Sequence, residues 1–130
     1  MGYCISVNSE NFSFNKNKSN EILKSVKEAV ENKQITKCRW TNANSLLYSD
    51  NITELFDEMR FEVFEKDQDR YGIDFFGEKY DGCEEQFFKA IAPHINDGYL
   101  EYIGEDGDKW RYIFKNGECK EVYPKVVWEE

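Results

Sequence analysis

Four arginines, Arg39, Arg60, Arg70 and Arg111, are the side chains of this sequence that can grip a phosphate or carboxylate through two parallel hydrogen bonds. Any anion site must therefore be built on one or two of them. His94 is the single histidine. It follows Pro93, no spacing places it with a serine or cysteine nucleophile and a carboxylate, and there is no glycine-rich phosphate loop. Its expected place is the end of a helix, half exposed and facing the helix dipole. These residues point to binding rather than covalent chemistry, so no enzyme activity is expected.

Two acidic stretches could hold cations. Residues 67–78 read DQDRYGIDFFGE, with Asp, Asp, Gly and Glu at positions 1, 3, 6 and 12 of a calcium loop. Tyr71 stands where position 5 needs an oxygen ligand, and Asp74 where position 8 is normally apolar. The stretch is therefore read as a hairpin with an acidic turn. Glu105-Asp106-Gly107-Asp108 is likewise read as a polar hairpin turn. Cys4, Cys38, Cys83 and Cys119 lie 34, 45 and 36 residues apart, without the close pairs of zinc or redox motifs. They are read as reduced, mostly buried thiols. No metal and no cofactor are expected.

The elements that must position these groups come from 130 residues, of which 40% are hydrophobic and 16% aromatic, enough for a core and consistent with one domain over residues 1–130. The net charge of -9 makes polymeric nucleic acid a poor partner, since such binding depends on basic side chains displacing counterions. Residues 1–60 carry eight charges of each sign, whereas residues 61–130 carry nine basic against eighteen acidic side chains and hold the whole excess. No apolar run approaches the length of a membrane span, and no secretory leader pattern is present. Met1-Gly2-Tyr3-Cys4-Ile5-Ser6 fits an acylation pattern formally, but Tyr3, Ile5 and Val7 at period two read as a first strand. Ten Phe, eight Tyr and three Trp suit either a packed core with a dimer interface or stacking on a small nucleotide.

Residues 2–8 read as a strand that continues, after a polar kink, into Phe12 and Phe14. A helix over 21–32 would bury Ile22, Leu23, Val26, Ala29 and Val30. Residues 35–40 read as a short strand or an extended connection, and 42–48 as a helical turn. Asn51 and Glu54 form a capping pair for a helix ending near Arg60. Residues 61–66 and 71–78 read as a hairpin. Asp81 and Glu84 read as a capping pair for a third helix, with Phe87, Phe88, Ile91, Ala92 and Ile95 on its apolar face and Pro93 at its end. Asp97-Gly98, Asp106-Gly107 and Asn116-Gly117 punctuate three alternating runs, which predicts an antiparallel meander with Pro124 at its outer edge. The fold class is α+β: an antiparallel sheet with a C-terminal three-stranded meander, and two or three helices packed on one face. Trp110, Tyr112 and Phe114 are expected to face the core, and Arg111 to project from the other side.

DGYLEYIGEDGDKWRYIFKNG at 97–117, FFKAIAPHI at 87–95 and MGYCIS at the start resemble the first Thoeris anti-defence family, small proteins encoded by phages and prophages. The resemblance covers most of the chain and is strongest over 77–117. It implies a sponge that sequesters a cyclic ADP-ribose isomer made by bacterial TIR-domain enzymes without degrading it, with cyclic oligonucleotides as a further ligand class. It also implies that Arg111, within Trp110-Arg111, contacts the ligand, with Arg60 as a second arginine; Trp110, Phe87, Phe88, His94 and Asn96 complete the candidate set without a residue-by-residue match to the family. Tyr112 departs from the family, where a tryptophan is expected. A homo-oligomer with its pocket between subunits and a location in the host cytoplasm follow as expectations. The competing reading, carried by the -9 charge, is an acidic nucleic acid mimic that occupies a basic cleft of a defence nuclease.

Overall fold

A computed structural model of the chain describes residues 2–129. Met1 of the acylation pattern lies outside them. The fold is α+β with antiparallel pairing throughout. In chain order the elements are β1 (Ile5–Asn8), β2 (Phe14–Asn15), α1 (Ser19–Glu31), α2 (Ala43–Leu47), α3 (Ile52–Glu58), β3 (Phe61–Glu65), β4 (Arg70–Phe75), α4 (Glu84–Ile91), β5 (Gly98–Gly104), β6 (Lys109–Lys115) and β7 (Glu118–Val122). Single-turn helices precede α1 at Lys16–Lys18 and follow α4 at Ala92–His94.

The strands divide between two sheets, where one sheet was expected: β1-β5-β6-β7 and β2-β4-β3. The chain breaks between β1 and β2 at Ser9, whose hydroxyl turns inward to the Ile73 carbonyl, so the predicted continuation into Phe12 and Phe14 joins a different sheet from β1. Residues 35–40 form neither strand nor helix.

Most local signals are realised. α1 buries Ile22, Val26 and Ala29 along one stripe. At α3 the Asn51 side chain accepts the Glu54 N–H at 2.9 Å, while the Glu54 carboxylate accepts from the Asn51 amide at 3.2 Å. The β6–β7 hairpin turns on Asn116 and Gly117, both at positive φ (54° and 78°), the pair of left-handed residues that a tight two-residue hairpin requires. The acidic stretch 67–70 is the β3–β4 turn. Asp67 accepts the N–H groups of Asp69 and Arg70 and pairs with the Arg70 guanidinium, so its oxygens organise the turn. The Glu105–Asp108 turn is tied down by Tyr3, whose hydroxyl donates to Asp106. That bond raises the Tyr3 phenol to about 12 and lowers Asp106.

One core serves both sheets. α4 lies on the inner face of the larger sheet, where Phe88 meets Tyr112 and Phe114 at ring-centre distances of 5.0 and 5.9 Å. The smaller sheet contributes Phe14 and Phe61, which pack on Phe56 of α3. α1 packs on α2, α3 and α4.

Cys38 and Cys83 form a disulfide, which corrects the expectation of four reduced thiols; Cys4 and Cys119 remain free. The bond ties the irregular connector after α1 to the start of α4, across a sequence separation of 45 that spacing rules for local motifs do not cover. A thiol reagent applied to the denatured, unreduced chain is expected to count two thiols, rising to four after reduction; four at the outset would refute the bond. Closing a loop of this length contributes roughly 4 kcal/mol by the chain-entropy estimate, and denaturant titration with and without reductant reads that difference.

Candidate functional site

β6 places alternate side chains on opposite faces. Trp110, Tyr112 and Phe114 enter the core, as expected, while Lys109, Arg111, Ile113 and Lys115 stand on the uncovered outer face. Cross-strand register adds Tyr99 and Glu101 from β5 and Lys120 and Val122 from β7 to that face. It therefore carries Lys109, Arg111, Lys115 and Lys120 against Glu101 and Glu118, a cationic surface on a chain of charge -9.

Arg111 is the organised member of this surface. Its guanidinium lies 4.4 Å from the Tyr99 ring centre, and its Nε and Nη2 both donate to Glu101 Oε1 at 2.9 Å. Beside it is a groove of about 430 Å³ walled by Ile113, Val122, Tyr123 and Pro124, with Trp110 at its base and Lys109 at its rim. That volume falls in the range of small-molecule sites. A larger surface hollow of about 710 Å³, between Asn15–Asn17 and the β3–β4 turn, has walls of polar and charged side chains only and lacks an aromatic platform.

Of the other expected contacts, Trp110 borders this groove and the rest are not brought to it. Phe87 and Phe88 are wholly buried, Phe88 against the larger sheet and Phe87 against Phe56 of α3, which corrects their assignment to a ligand site. Trp110 borders the groove, but its ring stacks on Tyr102 and its indole N–H points to the Tyr112 hydroxyl at 3.3 Å. Asn96 donates to the Ser13 hydroxyl and to the Asn15 side chain, each at 3.2 Å, and so anchors the segment leading through β2.

His94 meets Ser25 of α1, with 2.9 Å between Nε2 and Oγ, and its Nδ1 lies 3.9 Å from a Glu21 oxygen that Lys18 also approaches at 3.2 Å. Spacing alone cannot bring this serine, histidine and glutamate together. Ser25 sits within α1, where backbone N–H groups are spent on helical bonds and offer a developing oxyanion no donor. The contact joins the turn after α4 to α1.

Arg60 belongs to a different constellation. At the end of α3 it takes a left-handed φ of 65°, and its guanidinium donates to Thr41 Oγ1 at 2.9 Å and Asp81 Oδ2 at 3.1 Å. Asp81, whose side chain is 2% exposed, also accepts the backbone N–H groups of Arg39, Trp40 and Thr41 at 2.6–3.2 Å. Asp81 is thus not the expected helix cap. Glu84 fills that role in reverse, its carboxylate accepting the Asp81 and Gly82 N–H groups at 2.8 and 2.7 Å. Burial pushes the Asp81 carboxyl up, but the hydrogen bonds from Thr41, Trp40 and Arg39 outweigh it and hold the group below the usual range. Burial raises Glu84. Asp81 lies within 4.8 Å of the Cys38 and Cys83 sulfurs, a set with metal-ligand chemistry. The two sulfurs are bonded to each other and the carboxylate is occupied by N–H donors, so the three serve the fold.

Glu101, Lys109, Ile113, Val122, Tyr123 and Pro124, which line the groove, and Tyr99, which lies against Arg111, are the residues that sequence reasoning missed. Period two from Arg111 identifies Lys109; Tyr99 and Val122 require cross-strand register. Comparison with family models, with curated proteins and with solved structures returns no match.

Asp81→Asn removes the charge opposite the largely buried Arg60 and is expected to cost about 3 kcal/mol, the low end for breaking a buried pair. Because the folded Asp81 pKa is depressed, its contribution is complete above the unfolded carboxylate range near 4 and is lost as pH falls through the lower folded value. Urea midpoints at pH 7 and pH 3 read both effects: the variant should lose stability at pH 7 and show a flatter decline into acid. Equal midpoints at pH 7 would remove Asp81 from its structural role.

Proposed function

We propose that the protein is a phage anti-defence sponge that binds a TIR-produced cyclic ADP-ribose isomer in the Arg111 groove and withholds it intact from the host's Thoeris system. The supporting observation is the placement of Arg111: over the Tyr99 ring, beside a groove, on the cationic face of an otherwise acidic protein. The ligand class comes from the family resemblance at 97–117, and cyclic oligonucleotides are a second class under the same reading.

The physical sequence of binding is short. Arg111 and Glu101 form an exposed pair worth about 0–1 kcal/mol, so a pyrophosphate can displace the carboxylate at little cost. Lys109, on the same face, supplies a second positive charge. The ring of Tyr123, in the groove lining, offers a surface on which a purine can stack. Release of Glu101 leaves a carboxylate beside the bound nucleotide that can accept from ribose hydroxyls. Reversible capture in stoichiometric amounts requires no nucleophile, and the host cytoplasm, where the signal is made, is where such a protein would act.

The acidic mimic is the second reading, supported by carboxylates crowded at the β3–β4 and β5–β6 turns. One experiment separates them. Purified protein is mixed with the product of a TIR-domain enzyme, stripped of free nucleotide, heat-denatured and assayed for what it releases. Intact nucleotide near one per chain is expected, falling at least tenfold in Arg111→Ala, since a charge-assisted bidentate contact is lost. Altered nucleotide would indicate an enzyme, and no retention would leave the mimic. Retention unchanged in Arg111→Ala would move the site elsewhere.

A further inference from the structure

Cys38 and Cys83 are bonded to each other but differ in access. Cys38 stands partly exposed on the irregular connector, between exposed Lys37 and Arg39, whereas Cys83 is 0% exposed at the N-terminal boundary of α4. The two segments that the bond joins also wall a hollow of about 440 Å³, lined by Gln34 and Lys37 from the connector and by Glu85, Gln86, Lys89 and Ala90 from α4. Lys37 precedes Cys38, and Gln86 lies one helical turn from Cys83, so the hollow adjoins the bond. Its lining sets two lysines against one carboxylate, Glu85, which lies 3.7 Å from Lys89. Its volume is in the range of small-molecule sites.

We infer that Cys38 is a site of reversible mixed-disulfide formation with an anionic low-molecular-weight thiol of the glutathione class, seated in this hollow. Access selects the sulfur. The incoming thiolate attacks Cys38 Sγ, a new S–S bond forms there, and the Cys38–Cys83 bond breaks with its electron pair leaving on Cys83. Cys83 then takes a proton from solvent, replacing the one that the incoming thiol lost. A second thiol attacks the outer sulfur of the adduct, which yields the free Cys38 thiol and the oxidised dimer of the small thiol. The charge on departing Cys83 arises at the first turn of α4, where helix polarity favours it. Two carboxylates stand on that side. Asp81 is already met by Arg60 and three backbone amides, and Glu84 is engaged by the Asp81 and Gly82 N–H groups.

Reversibility follows from how the connector is held. Gln86 Oε1 accepts the Thr36 and Lys37 N–H groups at 2.9 and 3.0 Å, and Asp81 accepts those of residues 39–41. Cys38 is thus clamped on both sides by bonds that thiol exchange leaves intact. Its sulfur stays opposite Cys83, and expulsion of the small thiol by Cys83 is intramolecular. The folded chain can therefore pass between disulfide, adduct and dithiol, whichever ligand it binds elsewhere.

Glutathione is the probe, applied to the full chain without denaturant as mixtures of its reduced and oxidised forms, with acid quenching, intact-mass measurement and peptide mapping. The wild type is expected to interconvert between disulfide and dithiol with unchanged circular dichroism. Cys83→Ser lacks the thiol that expels the adduct and should accumulate glutathione on Cys38, while Cys38→Ser should leave Cys83 unmodified until urea is added. Lys37→Glu/Lys89→Glu changes exposed side chains only; it should slow opening by glutathione about tenfold and leave opening by uncharged 2-mercaptoethanol unchanged, with added salt narrowing the difference. An adduct on Cys83 in place of Cys38, a bond that opens only in the denatured chain, or equal rates for both thiols in the glutamate variant and the wild type would overturn the inference. None of these readings involves nucleotide, so the sponge reading stands or falls separately.

Discussion

The structure turns on the buried carboxylate of Asp81. Asp81 collects three consecutive backbone N–H groups from the connector at 39–41 and the guanidinium at the end of α3, and the following residues start α4. Three segments with no regular structure between them are thereby fixed at one point. The arrangement satisfies groups that would otherwise be orphaned in a water-poor place, and a buried N–H without a partner costs about as much as the bond it lacks. The Cys38–Cys83 bond joins the same connector to the same helix start. Covalent and electrostatic ties therefore converge, and the carboxylate can hold the connector whether or not the sulfurs are bonded.

With that corner held, α4 can present Phe88 to the larger sheet and Phe87 to Phe56 of α3, and the sheet can leave its other face bare. The alternation of β6 then separates two surfaces of opposite character one residue apart. Trp110, Tyr112 and Phe114 lie in an aromatic network that reaches Phe12 and Phe88, while Lys109, Arg111 and Lys115 face outward. This explains how a strongly acidic protein keeps a cationic surface. The acidic excess of residues 61–130 is concentrated in strand ends and turns, such as 67–69 and 105–108, where hydration screens it.

The aromatic abundance receives a structural explanation as well. Seven phenylalanines, at 12, 14, 56, 61, 87, 88 and 114, are buried and meet mostly edge to face, the geometry that favours aromatic packing. The exposed aromatics are scattered, among them Trp40, Tyr48, Phe64, Phe76, Tyr123 and Trp128, while Tyr99 lies beside Arg111.

What the sequence determined by itself is what neighbouring residues decide. The Asn51/Glu54 cap, the stripe of α1, the Asn116-Gly117 turn, the three-stranded meander and the outward side of Arg111 all follow from periods of 2 and 3.6 and from turn chemistry, which act within a few residues. Only the tertiary structure decided that the strands divide into two sheets, that Cys38 meets Cys83 and that Asp81 binds a connector forty residues earlier in place of capping its own helix. It also decided that Phe87 and Phe88 belong to the core, since an apolar helix stripe reads the same whether it faces a sheet or a ligand, and that Tyr99 and Val122 join Arg111. Such meetings depend on the path of the chain through space, and many sequences of loops can bring the same two residues together or keep them apart. Local pattern carries no term for that distance, whereas the packed core and its buried Asp81 carboxylate do.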